Sequence, residues 1–436
     1  MRFARNSLAC GALILALGSV EQGFAQKRLA DPQGQALNQL LNAAQAAIDR
    51  KDFEAAAQDY RDYLAKKPDD AIVHYDLGYA YSALNRAADA KSEYERAIAL
   101  DPKMAAAHLN LGATLLESDP AAAVEPLKKA AELTPEDART KWVLGTALER
   151  SGKLDDAIEA YRSAEKLDAA DIKIRLSLAH ALAAGGRAGE AEAEYRAALD
   201  LHGAAPETAQ ALRGLSEALI AEKNLPEASS ELAAYLEARP NDAKARVDHA
   251  SLLLDLGQPD AALAELDRAA KTSPEGLPEL KLRSDVLWRQ KRYAEAAGVL
   301  EKAAALAPRD ADISARLGEA YLQSKDYPNA TRWLVSSFRL DPKANDVLAY
   351  LVDAEYGEKN YAEALGALDE LSKREQLPAA SWYVRAVCYD KLGRAAEALE
   401  AYQKFLQLNQ DANSDMYFVS TARVRVLTRE LKNKKR

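Results

Sequence analysis

Cysteine is nearly absent. Two occur in 436 residues, Cys10 and Cys388, which excludes an internal disulfide framework and a thiolate metal site. Histidine is almost as scarce. The five (His74, His108, His180, His202, His249) are scattered, and none lies in a His-Glu-x-x-His arrangement. His74 and His108 are 34 residues apart, but two nitrogens make a poor zinc site. Neither a metal nor a cofactor is expected. No glycine-rich phosphate loop is present, because Gly185-Gly186-Arg187-Ala188-Gly189 follows no strand and reads as a turn between helices. β-Branched residues are few while Ala and Leu dominate, a composition that favours helix. Basic excess is also lacking. The net charge is -9, which argues against nucleic acid as a partner, since phosphate binding needs a basic stripe. Acidic neighbours such as Asp155-Asp156 sit at a predicted helix start, where they suit the dipole better than acid/base chemistry. No enzymatic activity is expected.

The chain opens with Arg2 and Arg5, an apolar run from Leu8 to Val20, and the small residues Gly23 and Ala25 around Phe24. That order predicts a secretory signal peptide over 1–25, cleaved near Ala25. The run is too short to span a bilayer comfortably. An exported chain, periplasmic or secreted, is the expectation. Cys10 leaves with the signal, and Cys388, among Val384, Val387 and Tyr389, is expected to be a buried packing residue.

What the chain has in abundance is a period. Pro68 to Pro102, Pro240 to Pro274, Pro274 to Pro308 and Pro308 to Pro342 each span 34 residues. Within one period, Leu77-Gly78, Tyr81, Ala90, Tyr94, Ala97 and Pro102 set a phase that returns at Gly145, Leu148, Ala157, Tyr161 and Ala164, and again at Gly318, Tyr321, Ala330, Leu334 and Pro342. Such a period predicts stacked helix pairs. Apolar positions spaced by three and four give each helix one buried stripe. Gly78 and Ala90 are expected to face each other where the paired helices cross, with Tyr81 and Tyr94 filling the space beside them. Asn85, Gly152, Gly186, Gly257 and Gly393 fall where a left-handed cap ends the first helix. Pro102, Pro135, Pro240, Pro274, Pro308 and Pro342 stop the second.

The organisation read from this phase is a flexible lead-in over 26–36, five repeats over 37–206 and six over 207–412. A phase slip across His202-Gly203-Ala204-Ala205-Pro206 separates the blocks. Residues 413–436 form a capping helix and basic tail. Its helix, Asp415 to Leu431, carries an expected apolar stripe of Val419, Ala422, Val426 and Leu427. The tail Lys432-Asn433-Lys434-Lys435-Arg436 reads as a solvated end with cations suited to a helix C-terminus, the alternative being contact with anionic lipid or nucleic acid. Asn329-Ala330-Thr331 fits a glycosylation sequon, but Ala330 is a packing position.

A small residue in the first helix, Ala early in the second, a large residue four later, Ala three after that and a closing Pro (Gly112, Ala123, Leu127, Ala130, Pro135) resemble the tetratricopeptide repeat. The resemblance covers 37–412. It implies an all-α, right-handed α-solenoid of about eleven helix-turn-helix repeats with a C-terminal capping helix. Two departures stand out: Val352 replaces the small residue of the tenth repeat, and Arg283 replaces the usual Leu of the eighth. The resemblance also implies a concave groove lined by the first helices. The matching positions are Tyr75, Tyr79, Leu109, Trp142, Thr146 and His180, then Arg213, Glu217, Lys281, Asp285, Trp288, Arg316, Glu319, Tyr350, Asp353 and Tyr383. Exposed aromatics there would bind protein or peptide partners; the alternative is that the rings stack between adjacent helices. Members that grip a chaperone's C-terminal carboxylate use Lys and Asn where this chain has Tyr75 and Tyr79, so that subtype is not expected. The function implied is a non-catalytic scaffold or adaptor in envelope assembly or secretion, with peripheral envelope association left open. A non-catalytic subunit of an envelope glycosyltransferase or peptidase complex and a glycan-binding module are the alternatives.

Overall fold

The computed structural model describes residues 32–409, 411 and 414–434. The expected signal peptide, most of the lead-in and the last two residues of the basic tail lie outside the described residues. Among the described residues there are twenty-three helices and no strand. The chain divides into two compact units, one ending at Ala238 and one beginning at Arg239.

The first unit contains the helix pairs α1 (Pro32–Asp49) and α2 (Phe53–Leu64), α3 (Ala71–Ala83) and α4 (Ala87–Leu100), α5 (Ala105–Leu115) and α6 (Pro120–Leu133), α7 (Ala138–Arg150) and α8 (Leu154–Leu167), α9 (Ile172–Ala184) and α10 (Ala188–Asp200), and α11 (Ala205–Ala221) and α12 (Leu225–Ala238). The second contains α13 (Ala243–Asp255) and α14 (Pro259–Ala270), α15 (Leu277–Arg289) and α16 (Tyr293–Leu306), α17 (Ala311–Gln323) and α18 (Tyr327–Leu340), α19 (Asn345–Glu358) and α20 (Tyr361–Ser372), and α21 (Ala379–Lys391) and α22 (Ala395–Leu408), followed by α23 (Asp415–Lys434). Within each unit the members of a pair pack along each other, and each second helix packs on the first helix of the next pair.

Local chemistry sets these boundaries. Asp70, Asp137, Asp171, Asp242 and Asp310 each accept a hydrogen bond from a backbone N–H in the first turn of the helix they precede, satisfying a donor the helix leaves orphaned. Asn85, Gly152, Gly186, Gly257 and Gly393 all have positive φ. The same left-handed place is filled by Lys51, Lys223, Lys291, Lys325 and Lys359, with φ between 58° and 68°, which residue type alone does not suggest. The turn itself holds them: the next N–H reaches back five residues, as in Asp326 N to Tyr321 O at 2.9 Å. Two closing bonds at the helix end offset the crowding of a side chain in this conformation.

The helix crossing differs from expectation. Gly78 faces the ring of Tyr94 rather than Ala90: a Cβ added at Gly78 would sit 2.7 Å from Tyr94 Cε1. Gly112 meets Leu127, Gly145 meets Tyr161 and Gly318 meets Leu334 in the same way. Large side chains on a helix lean toward its N-terminus and cover the preceding turn. The ring four residues after the alanine therefore lies over the glycine, while Ala90 and Ala97 let the backbones close up. Tyr94 and Tyr161 are each only 1% exposed.

Five other details differ from what the sequence suggests. Helix α1 begins at Pro32, so 32–36 are helical rather than a flexible lead-in; proline is well suited to a first helical position. Helix α11 begins at Ala205, absorbing the end of the phase slip, and packs directly on α10. The boundary between the two units falls at Ala238, after α12, and not at the slip. Arg283 is half-buried where Leu is usual and is held by Asp267 at 2.5 Å and Glu275 at 2.6 Å. In α23 the packed stripe is Ser420, Arg423, Val424 and Leu427, while Val419, Ala422 and Val426 are exposed. Arg423 fixes that rotation by a two-point bond to Asp390 at 2.6 and 2.7 Å, a strong charge-assisted geometry. Cys388 is fully buried, and burial pushes its thiol up to about 11.

Candidate functional site

Every sequence-predicted site residue lies on the first helix of a pair. Tyr75 and Tyr79 are on α3, Leu109 on α5, Trp142 and Thr146 on α7, His180 on α9, and Arg213 and Glu217 on α11. Lys281, Asp285 and Trp288 are on α15, Arg316 and Glu319 on α17, Tyr350 and Asp353 on α19, and Tyr383 on α21. Helices of equal phase therefore present these side chains at recurring heights. What each side chain does there depends on the neighbouring first helix.

In the first unit the ties between neighbours are mostly neutral. Asn110 Nδ2 donates to the Tyr75 hydroxyl at 3.2 Å, and Trp142 Nε1 donates to Ser177 Oγ at 2.9 Å; both pairs are 35 residues apart. The Tyr75 ring also lies 5.9 Å from that of Tyr94. Tyr79 meets Phe53 edge-on at 6.3 Å. Leu109 is buried. Glu149 is a hub that residue type did not single out: it accepts from the Tyr161 hydroxyl at 2.7 Å and faces His180 Nδ1 at 3.0 Å. Burial pushes the Glu149 carboxyl up, yet the bonds from His180 and Tyr161 outweigh it and the net displacement is downward. His180 is raised by its bond to Glu149. Thr146 bonds the Trp142 carbonyl at 3.1 Å. Arg213 reaches Glu217 at 2.8 Å.

Asp76, between Tyr75 and Leu77, was also missed. Among the described residues no basic side chain pairs with it. Burial, and secondarily Asp70, push its carboxyl up to about 7. The signal was present in the sequence as an acid on the same helix as Tyr75 and Tyr79, but its isolation depends on what the neighbouring helices lack.

In the second unit the ties are charged. Lys281 Nζ donates to Asp310 at 3.3 Å, Arg316 pairs with Asp285, and the Tyr350 hydroxyl stands beside the Glu319 carboxylate. Burial pulls the Arg316 guanidinium down and pushes the Glu319 carboxyl up. Trp288 lies edge-on to Tyr293 at 5.0 Å, and Tyr383 packs on Phe405 at 5.4 Å. Asp353 is exposed, its carboxyl raised by partial burial.

The histidines considered as ligands serve helix ends instead. His74 lies 2.6 Å from Glu93 and 2.8 Å from the Pro68 carbonyl, and His108 lies 3.0 Å from the Pro102 carbonyl. Among the described residues no group of three or more His, Cys, Asp or Glu is placed to hold a metal. The arrangement is suited to recognition by side chains already braced against one another.

Two tetratricopeptide repeat profiles match the sequence, one at 47–108 and 287–349, the other at 117–172, 176–243, 247–308 and 351–413. The chain belongs to the tetratricopeptide repeat family. Members generally mediate protein–protein interactions, and the fold is generally a non-catalytic scaffold. No curated protein matches the chain. Similar solved structures include MamA from Desulfovibrio magneticus RS-1, 24% identical, covering 39% of this chain and 96% of that one at a TM-score of 0.38. Another is PilF of Pseudomonas aeruginosa, 23% identical, covering 50% and 98% at 0.37. A third is a tetratricopeptide repeat protein from Parabacteroides merdae, 15% identical, covering 59% and 98% at 0.39. In this member of the family, the repeat glycine and the large residue that covers it are what hold the two helices of a repeat at close range.

Proposed function

We propose that this tetratricopeptide repeat protein is a non-catalytic scaffold or adaptor, exported to a bacterial envelope, that binds a partner protein or peptide on the face carried by its first helices. The observation that carries the reading is the face of α3. Tyr75 and Tyr79 are half-buried there beside Asp76, a carboxylate with no basic partner among the described residues. Two amphipathic rings supply contact area at small entropic cost, and an unpaired acid with a raised pKa is a mark of a site rather than of packing. A peptide bearing a basic residue between apolar ones fits that chemistry.

The test is selection of a displayed peptide library on the purified chain, followed by titration of the enriched sequence. Tyr79→Ala is expected to weaken binding about tenfold, with helical content unchanged. Enriched peptides that bind Tyr79→Ala and Asp76→Asn as tightly as the parent would overturn the reading. Export rests on the Arg2 to Ala25 segment. N-terminal sequencing of the protein recovered from the envelope is expected to begin at Gln26.

A further inference from the structure

We propose that the outward side of α23 docks on an anionic phospholipid surface. This helix packs on α22 through Ser420, Val424 and Leu427 and is pinned by Arg423 to Asp390. That rotation turns an apolar row outward: Phe418 is 65% exposed, Val419 44% and Val426 41%, with Ala422 among them. At 100° per residue these four fall within one arc of about 100°. Arg425, Arg429 and Lys432, all exposed, continue the same side toward the C-terminal end, with Glu430 the one acid among them. The helix carries five basic residues against two acidic ones, on a chain whose net charge is -9. An apolar half followed by a basic half is the pattern of a helix lying in a lipid interface, where rings and aliphatic groups enter the acyl boundary and cations stay among the headgroups. Each surface cation adds attraction to anionic lipid. Charge favours lipid over a second copy meeting the same face, because that would bring two helices of like net positive charge together. Among the described residues no helix is long and apolar enough to cross a membrane, and the contact proposed for α23 is a peripheral one.

The test is co-sedimentation of the full chain with phosphatidylcholine vesicles and with vesicles containing phosphatidylglycerol. Two paired variants are compared with the parent: Phe418→Asp with Val426→Asp, and Arg425→Gln with Arg429→Gln. Every substituted side chain is exposed, and circular dichroism confirms that the helices persist. The parent is expected to bind the anionic vesicles, with each paired variant weakened about tenfold. Equal binding by parent and variants, or no binding by the parent, overturns the proposal. A parent dimer that disperses in the Phe418→Asp, Val426→Asp variant would assign the face to a second copy and overturn it as well. Peptide selection at Tyr79 is unaffected by either result.

Discussion

In the unit ending at Ala238 successive first helices are tied mostly by neutral groups, an indole, an amide and hydroxyls, with Glu149–His180 the charged exception; in the unit beginning at Arg239 the ties are mostly ammonium, guanidinium and carboxylate groups. Tyr75–Asn110 and Trp142–Ser177 stand against Lys281–Asp310 and Asp285–Arg316. The repeat therefore fixes where a side chain stands without fixing how it is satisfied. Neutral ties hold at any ionic strength, whereas exposed ion pairs are screened by salt. The two units share one geometry and should answer differently to solvent.

The largest expected effect breaks the geometry they share. Gly145→Leu places a side chain where Tyr161 already stands 2.6 Å from a Cβ, and should destabilise the first unit by about 3 kcal/mol. Gly318→Leu meets Leu334, also at 2.6 Å, but a leucine changes rotamer more readily than a ring, so a smaller loss is expected. Calorimetry of both variants should show a partial transition moving down in temperature, since each repeat leans only on its neighbours. Equal losses would show that ring rigidity does not matter at this crossing.

Next comes Asp76. Its folded pKa is raised from 3.8 to about 7, so the folded state binds the extra proton and stability falls as pH rises from the unfolded value through the folded one. Asp76→Asn should raise stability at pH 8 by about 2 kcal/mol, after allowance for solvent screening, and change it little near pH 3. Denaturant melts at the two pH values decide it; a gain of equal size at both would show that burial does not govern this carboxylate.

The contrast between units is sharpened by Ser177→Ala and Arg316→Gln. Removing the neutral tie should cost about 1 kcal/mol regardless of salt. Removing the charged one should cost less than about 1 kcal/mol at low salt and nothing measurable at 1 M. Denaturation series across salt that run parallel for the two variants would erase the distinction. The smallest effect is Lys325→Gly, which relieves a left-handed lysine and should stabilise by about 0.5 kcal/mol after the greater freedom of glycine in the unfolded chain is set against it. A lower melting temperature would mean that the lysine side chain contributes something at the turn.

Helix ends were legible because Pro, Gly and capping Asp mark them chemically. The starts of α3, α5, α7 and α9 fall at the residues the phase indicates, Ala71, Ala105, Ala138 and Ile172. The left-handed lysines were not, because their conformation comes from backbone bonds of the turn and not from residue preference. Positions on the first helices could be named from phase alone. Their partners could not: Trp142 with Ser177, or Glu149 with His180, depends on rotamers and on the offset between neighbouring helices. In α23 the apolar period gave a helix but the wrong side of it, since Leu427 is shared by both stripes and the Arg423–Asp390 bond decides the rotation.

Cys388 is the sole thiol once the first 25 residues are removed, and it is sealed inside the second unit with a pKa that keeps it protonated and inert. A colorimetric thiol reagent can react only in the moments when α21 parts from its neighbours. The rate of colour development therefore clocks the opening of the last repeats, with no label added and no change to the chain.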